Sequence, residues 1–383
     1  RRRSSILRRM SVGSIQSFDG DSNIFKLEIG VPSIKIKISK KPQRSDFQHI
    51  KVLGQGAYGK VILVKNKKTG CLFAQKELKK ASISINAKSI ERTISERTIL
   101  SRISEHPNIV KLFYAFHDSS KLYLMLEYIP GGELFQYLLK ERFLSERNAS
   151  FYIAQMALAL HYLHQLGIVY RDLKPENCLL DHEGYLILTD FGLAKEPAED
   201  ESENPNWCNS IIGTPEYCSP EVIRGDDYGV RTDWWSLGCV MYDLLTGNPP
   251  FRGNSHKEIA NKILKEKPKY PFHLTADSKD LLAKLLNKNP SKRLDVDNKW
   301  QIFKSHRFFR YYDWDDLYYR RCDPPIKPVI TDLELAENFD EQFTGLRLSE
   351  VESIQIPIKN GSIDNDCFSG FSYTASESFV DSY

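Results

Sequence analysis

An α+β fold with two lobes is expected for this chain: a small β-rich lobe with one main helix, a larger mainly helical lobe, and an extended C-terminal tail. Three observations predict it. Between Phe47 and Tyr128 the runs HIKVLGQG, GKVILVKN, LFAQKEL and KLYLMLEY are rich in β-branched and aromatic residues and surround one helical stretch near Ala87 to Ser104. From Gly131 to about Phe309 apolar residues recur at three and four, as in Arg147 to Leu166 and Thr232 to Leu245. Beyond Arg310 the periodicity is lost and the composition becomes acidic, with Ser and Phe. The expected organisation is a basic arm at 1–24, an extra strand or linker at 25–45, lobes at 46–128 and 129–309, and a tail at 310–383.

Length and composition agree with this plan. At about 150 residues per domain, 383 residues allow two or three compact units. With 41% hydrophobic and 27% charged residues, the chain is neither collagenous, coiled-coil nor wholly disordered. Lys+Arg 53 against Asp+Glu 50 leaves a net charge of +3, too small an excess for nucleic acid to be the expected partner. Seven cysteines without CxxC pairing argue for buried thiols in a reducing compartment and against a zinc framework. A cytoplasmic location is expected, with the nucleus second, and a monomer. No apolar run approaches the roughly 18 to 20 residues of a membrane span. The chain opens with Arg1 and not Met, so it is expected to be a piece of a longer protein, with any targeting signal upstream of Arg1 out of view.

Taken in order, residues 1–24 are Ser- and Arg-rich without periodicity, as in an arm that cannot bury enough apolar surface to stay ordered. Lys26 to Ser39 alternates at Ile34, Ile36 and Ile38, a strand signal interrupted at Gly30-Val31-Pro32. Asn66 to Gly70 (NKKTG) reads as a hairpin turn. The crevice between the two lobes is the natural ligand site.

Three motifs bear on chemistry. Gly54-Gln55-Gly56-Ala57-Tyr58-Gly59-Lys60-Val61 is GxGxxGxV, whose glycines let backbone N–H groups approach phosphate oxygens. Because Lys60 to Val64 reads as a second strand and not a helix, a strand-turn-strand phosphate flap is preferred over a dinucleotide site, with an ordinary Gly-rich hairpin as the alternative. Lys76 ends a strand and Glu96 lies on the following helix, so the pair either holds an ammonium against phosphates or is two solvated charges. The decisive run is Tyr170-Arg171-Asp172-Leu173-Lys174-Pro175-Glu176-Asn177, followed after a short turn by Asp190-Phe191-Gly192. It offers an acceptor for a hydroxyl proton (Asp172), a cation (Lys174) and two metal-facing oxygens (Asn177, Asp190).

These motifs, in this order, resemble a eukaryotic protein kinase over roughly residues 47 to 310. The resemblance implies the bilobal kinase fold and ATP with Mg2+ as cofactors. Gly54, Gln55, Gly56, Ala57, Tyr58, Gly59, Val61 and Ala74 would then surround the nucleotide, and Lys76 would pair with Glu96. It makes Glu127 to Ile129 the adenine-binding hinge, Leu126 the gatekeeper and Glu133 a ribose contact. Asp172 would be the catalytic base, Lys174 its partner cation, and Asn177 with Asp190 the magnesium ligands. Glu221 should pair with buried Arg293, and Asp233 should anchor the catalytic loop. Lys174 and Thr214 mark the serine/threonine branch.

Ser210 to Tyr217 (SIIGTPEY) resembles the activation loop of AGC-type kinases, which makes Ser210 the activating phosphosite, with Arg171, Lys195 and Arg92 as the cations around it. The chain departs from the pattern at Ile211-Ile212, at Ser219, and in an acidic insertion from Glu196 to Glu203. In the tail, Asn338-Phe339-Asp340 with Phe343 resembles the element that completes the adenosine pocket. Phe368 to Tyr373 (FSGFSY) matches the F-x-x-F-S/T-Y hydrophobic motif, implying a seat on the small lobe beside the Glu96 helix and a phosphosite at Ser372. Ser349 and Ser353 both lie where related tails carry a further phosphate. The set is similar to the branch of the p70 and p90 ribosomal-protein kinases and protein kinase B.

The expected function is a serine/threonine protein kinase, served by upstream activating kinases, that phosphorylates proteins in R-x-x-S or R-x-R-x-x-S contexts. Its substrate arginines are received by Glu133, Glu176 and Asp243. The alternative is a nucleotide-binding pseudokinase scaffold. The arm contains Arg2-Arg3-Ser4-Ser5 and Arg8-Arg9-Met10-Ser11, which reads as a self-phosphorylation site or pseudosubstrate, or as a solvated basic arm.

Overall fold

The computed structural model describes residues 42–56, 59–103, 105–197, 208, 213–348 and 365–376, together with backbone pairing at Ile24–Lys26 and Lys35–Lys37. Two units are distinguished, Arg1–Gln43 and Arg44–Tyr383. In the first, β1 (Ile24–Lys26) pairs antiparallel with β2 (Lys35–Lys37), Phe25 opposite Ile36. The strand falls on the alternating isoleucines; the basic arm before Ile24 lies outside the described residues.

The second unit opens with a six-stranded antiparallel sheet. Its strands are β3 (Phe47–Gln55), β4 (Gly59–Asn66), β5 (Leu72–Lys79), β6 (Leu112–His117), β7 (Lys121–Glu127) and β10 (Tyr373–Thr374), ordered β10-β6-β7-β5-β4-β3. The β3–β4 turn is the Gly-rich segment. The β4–β5 turn is held by Asn66, whose Oδ1 accepts from Lys68 N and Thr69 N, with Gly70 at φ +78°. Two helices interrupt the sheet: a single turn, α1 (Lys80–Ile83), and α2 (Ala87–Leu100), capped by the Asn86 side chain on Lys88 N. Two features depart from the reading of the sequence. Strand β6 was not among the expected runs, because LFYAFH is buried on both faces at its start and shows no clean alternation. The last strand, β10, comes from the tail and pairs Tyr373 with Ala115.

The larger lobe is built around α4 (Glu146–Gln165) and α6 (Arg231–Thr246). Ser145 caps α4 through Asn148 N, and fourteen of the sixteen residues of α6 are buried, so α6 is a central helix and not an amphipathic one. Around them lie α3 (Leu134–Glu141), α5 (Pro220–Arg224), α7 (His256–Lys265), α8 (Ala276–Leu285), α9 (Trp300–Lys304) and α10 (Trp314–Tyr318). A hairpin of β8 (Cys178–Leu180) and β9 (Leu186–Leu188) faces the small lobe. The tail crosses back past the sheet through a short α11 (Glu341–Thr344).

The cysteines are less uniformly buried than composition suggested. Cys178, Cys208 and Cys239 are buried, Cys71, Cys218 and Cys322 half-buried, Cys367 exposed, and all seven are free thiols. Among the described residues no helix is long and apolar enough to cross a membrane.

Candidate active site

The site is assembled by the β8–β9 hairpin. Cys178 pairs with Leu188, so Asn177, one residue before β8, and Asp190, two residues after β9, are brought across from each other. Asn177 O accepts from Thr189 N at 2.9 Å and from Thr189 Oγ1 at 3.1 Å, which closes the hairpin mouth. Asp190 is a non-glycine residue at φ +53°, a left-handed conformation that its short polar side chain tolerates.

Three charges meet here from distant parts of the chain. Lys76 Nζ on β5 lies 2.6 Å from Glu96 Oε1 on α2 and 3.0 Å from Asp190 Oδ1. Burial works against the Lys76 charge, but the carboxylates of Asp190 and Glu96 outweigh it and hold its pKa above the usual lysine range. Lys76 in turn holds the Asp190 carboxyl below its ordinary value. Burial pushes the Glu96 carboxyl up, opposed by the Lys76 ammonium that bonds it.

Asp172 sits beside this cluster at 7% exposure. Its Oδ2 accepts from Lys174 Nζ and from Asn177 Nδ2, both at 2.9 Å, and its backbone O accepts from Asn177 Nδ2 as well. Burial raises its pKa, opposed by Lys174 and Asn177, which biases the carboxylate toward taking up a proton. Lys174 Nζ also donates to Thr214 Oγ1 at 3.2 Å. The loop before Asp172 is held by Asp233, which accepts from Tyr170 N at 2.9 Å and from Arg171 N at 2.8 Å.

The glycines of the β3–β4 turn serve two purposes. A Cβ at Gly54 or Gly56 would meet nothing within 4 Å, so their backbone faces open space. A Cβ at Gly59 would meet Glu77 O at 1.7 Å, so that glycine is required by the close approach of β5. Ala57 and Tyr58 lie outside the described residues. Behind the turn, Val61 and Ala74 pack with Leu53, Leu63 and Tyr128. The tail completes this cluster with Ala336 and Phe339, whose ring stacks on Tyr128 at 6.0 Å. Ile129 is buried, and Glu127 N bonds Lys111 O at 2.9 Å. Asn338 Nδ2 donates to Pro130 O at 3.2 Å, and Asn338 O fills the space where a Cβ at Gly132 would stand.

These residues fit a magnesium nucleotide. Mg2+ takes oxygen ligands and is usually bound by one or two carboxylates plus substrate phosphates, and not by an all-protein cage. An amide oxygen at Asn177, a half-exposed carboxylate at Asp190 and two glycines with open space where a Cβ would stand supply that arrangement.

Glu133, Glu176 and Asp243 lie near enough to interact. Burial raises Glu133, and the Glu176 charge adds to it. Burial likewise lifts Asp243 to about 6, opposed by the hydrogen bond from Tyr217 Oη at 2.7 Å and reinforced by Glu176. Asp243 is thus buried and already bonded, a partner that the sequence did not indicate. Among the described residues Glu176 Oε2 is buried without a hydrogen-bond partner.

Of the expected phosphosites, Ser210, Ser349 and Ser353 lie outside the described residues. Burial pushes the Cys208 thiol up to about 11, opposed by the nearby charges of Arg171 and Lys195, so the two cations lie beside the residue two before Ser210. Arg92 is half-buried on α2. Ser372 is exposed between the buried Phe371 and β10. Phe368 and Phe371 are 0% and 1% exposed; Arg97 on α2 donates to Phe371 O at 2.9 Å, and Lys80 Nζ stands 5.3 Å over the Phe368 ring. The acidic insertion begins with Glu196, paired with Arg102 at 2.7 Å.

Three residues here were not anticipated. Arg320, at φ +56°, donates to Asp181 Oδ2 and Pro107 O, each at 2.7 Å. His164 and Asp297 stand behind Asp233.

The protein kinase domain family matches residues 47–309. Serine/threonine-protein kinase YPK3 of Saccharomyces cerevisiae is 47% identical over 399 aligned positions, covering 88% of this chain and 76% of that protein. Serine/threonine-protein kinase Sgk2 of Homo sapiens is 42% identical over 332 positions, 86% of this chain and 89% of that protein. Ribosomal protein S6 kinase alpha-6 of Homo sapiens is 43% identical over 339 positions, and there the chain spans only 44% of the relative.

Proposed function

The chain belongs to the AGC serine/threonine protein kinases, and we propose that it transfers the γ-phosphate of ATP to serine or threonine preceded by arginine at the third and fifth positions upstream. The observation that carries the catalytic half of this reading is the joint placement of Lys76, Glu96, Asp172, Asn177 and Asp190. Asp172 accepts the proton of the attacking hydroxyl, and Lys174, bonded to it, faces the transferring group. Asn177 and Asp190 would hold magnesium, which when bound would neutralise charge on the phosphate oxygens. Lys76, fixed by Glu96, orients the nucleotide, and the backbones of Gly54 and Gly56 cover it. Little covalent chemistry falls to the protein, so positioning and fixed charge supply most of the rate.

The arginine preference is supported by the unpartnered Glu176 Oε2 next to Glu133 and Asp243, since a buried carboxylate oxygen is costly unless a cation or donor reaches it. Transfer of labelled phosphate to an R-x-R-x-x-S peptide, absent in Asp190→Asn, tests the whole reading. Within it, Glu176→Gln is expected to lower kcat/KM for that peptide about ten- to hundred-fold, the 1.5–3 kcal/mol of a charge-assisted hydrogen bond. A peptide with alanine in place of its arginines should respond less than twofold; equal losses on both peptides would remove Glu176 from arginine recognition.

Regulation by upstream kinases at Ser210 and Ser372 is part of the same proposal. It draws support from the cations beside Cys208, from the docked Phe368 and Phe371, and from the exposure of Ser372. The arm supplies its own arginine-preceded serines. Incubation with Mg2+ and ATP is expected to place phosphate on Ser5 and Ser11 in the active chain and not in Asp190→Asn; a phosphopeptide map bare at both serines would exclude self-phosphorylation of the arm. The seven free cysteines support a cytoplasmic setting, with the nucleus second.

A further inference from the structure

Behind the catalytic loop, near the end of α4, a chain of charged groups leads away from Asp172. Asp233 is fully buried and bonds the amides of Tyr170 and Arg171. Its Oδ2 also lies 2.9 Å from His164 Nε2. The other nitrogen of the same ring, Nδ1, lies 3.1 Å from Oδ1 of Asp297, a residue on the turn that follows Val296. Asp297 Oδ2 accepts from Trp234 Nε1 at 2.7 Å, and His161 Nδ1 stands 3.3 Å from Oδ1. His161 is itself stacked on Trp300, with ring centroids 4.2 Å apart.

Both nitrogens of one buried imidazole therefore face carboxylate oxygens. A neutral imidazole carries one lone-pair nitrogen, which would be set against an anion; the imidazolium donates at both. Burial alone would lower the His164 pKa, but the hydrogen bonds to Asp233 and Asp297 lift it to about 9.

The next link is backbone. Arg171, immediately before Asp172, is held at φ +68°. A non-glycine residue in that region is strained and persists only where its surroundings over-determine it. The two amide bonds to Asp233 are such a restraint, and they depend on its carboxylate staying in place. His164 Nε2 reaches the same Oδ2 that accepts from Tyr170 N.

We propose that Asp297 is a positioning residue for phosphoryl transfer: it holds His164 as an imidazolium between two carboxylates, and that cation fixes Asp233 and, through it, the backbone that aims Asp172. The inference rests on Asp172 being the base, yet its first test does not involve activity.

Ring-nitrogen NMR of histidine-labelled protein should show His164 doubly protonated at pH 7.5; a neutral His164 there overturns the proposal, whatever the kinetics. Asp297→Asn should bring His164 into titration near neutrality. In that variant kcat should fall on the order of ten-fold, a fraction of the hundredfold that an ångström of misplacement can cost, with KM for ATP and peptide within twofold. The kcat of the variant should climb as pH is lowered from 8 to 6, a limb absent from the parent. Asp297→Glu should restore the parent profile. Trp234→Phe removes a hydrogen bond to the same carboxylate without removing charge, so it should keep His164 charged and the profile flat. An Asp297→Asn enzyme with parental kcat, or a Trp234→Phe enzyme that acquires the same limb, would show that packing and not charge is at work. If Asp297→Asn does not fold, the parent spectrum decides. Because the folded pKa of His164 is raised, its contribution to stability is complete below about pH 6.5 and is lost as pH rises through about 9.

Discussion

Asp172→Asn is expected to lower kcat about a thousandfold, within the 10²–10⁴ that a positioned general base contributes, while leaving ATP affinity within a few-fold. That split follows from where the groups sit. Asp172 Oδ2 is bonded to Lys174 and Asn177, and the nucleotide side of the site is held separately by Lys76, Glu96 and Asp190. Asparagine has the same shape, and its amide oxygen in the place of Oδ2 can still accept from both donors, so the loop should keep its conformation, backed by Asp233 from the other side. Only the acceptor for the hydroxyl proton is lost. A thousandfold corresponds to roughly 4 kcal/mol of transition-state stabilisation. Single-turnover transfer to an arginine-containing peptide measures the rate, and calorimetric titration with the nucleotide measures the affinity. A variant that keeps more than a tenth of parental kcat would take the base assignment from Asp172. A variant that loses affinity along with rate would mean that the substitution disturbed the nucleotide seat.

Much of this site was legible because kinase chemistry is written in short local strings. Asp172, Lys174 and Asn177 fall within six residues, and Asp190 follows after one hairpin, so their convergence needs only β8 and β9 to pair. The contact between Lys76 and Asp190 spans 114 positions; no spacing argument reaches that far, and the sequence reading paired Lys76 with Glu96 alone. For the tail aromatics, two phenylalanines one turn apart signal an apolar face, and it was the resemblance that supplied the seat beside α2 that receives them.

What stayed hidden has a common physical origin. Gly54, Gly56 and Gly59 look alike in the string, yet only tertiary packing reveals that Gly59 answers to the β5 backbone. Arg320 stands in an unremarkable Tyr-Tyr-Arg-Arg run, and its left-handed backbone and reach to Asp181 and Pro107 depend on the route of the tail. Asp297 and His164 belong to segments 133 positions apart and acquire meaning only once α6 brings Asp233 between His164 and the loop. Strand β6 was missed because a strand buried on both faces loses the alternation by which strands are recognised.

The largest stability effect is expected at the buried ion pair that closes the activation segment onto the large lobe. Arg293 and Glu221 have side chains 0% and 3% exposed, joined by two bonds of 2.6 and 2.9 Å. Arg293 also donates to Arg231 O and Asn287 O, and its guanidinium lies 5.2 Å over the Trp235 ring. Arg293→Met fills part of the volume but leaves Glu221 charged, buried and without its cation, a change that typically costs 3–5 kcal/mol, or about 4–7 °C in melting temperature for a domain of this size. Adding Glu221→Met should recover most of that loss, because the desolvation cost of the carboxylate disappears with it. Activity should separate from stability in the double variant. Glu221 stands at the start of α5, directly after the segment that carries Thr214 and Tyr217, and Arg293 ties it to the start of α6 through Arg231 O. Two methionines can restore the buried volume but not that fixed direction, so kcat should stay depressed while the melting temperature returns. If kcat recovers in step with the melting temperature, the pair serves packing alone; if Arg293→Met melts with the parent, Glu221 has found another partner or has taken up a proton.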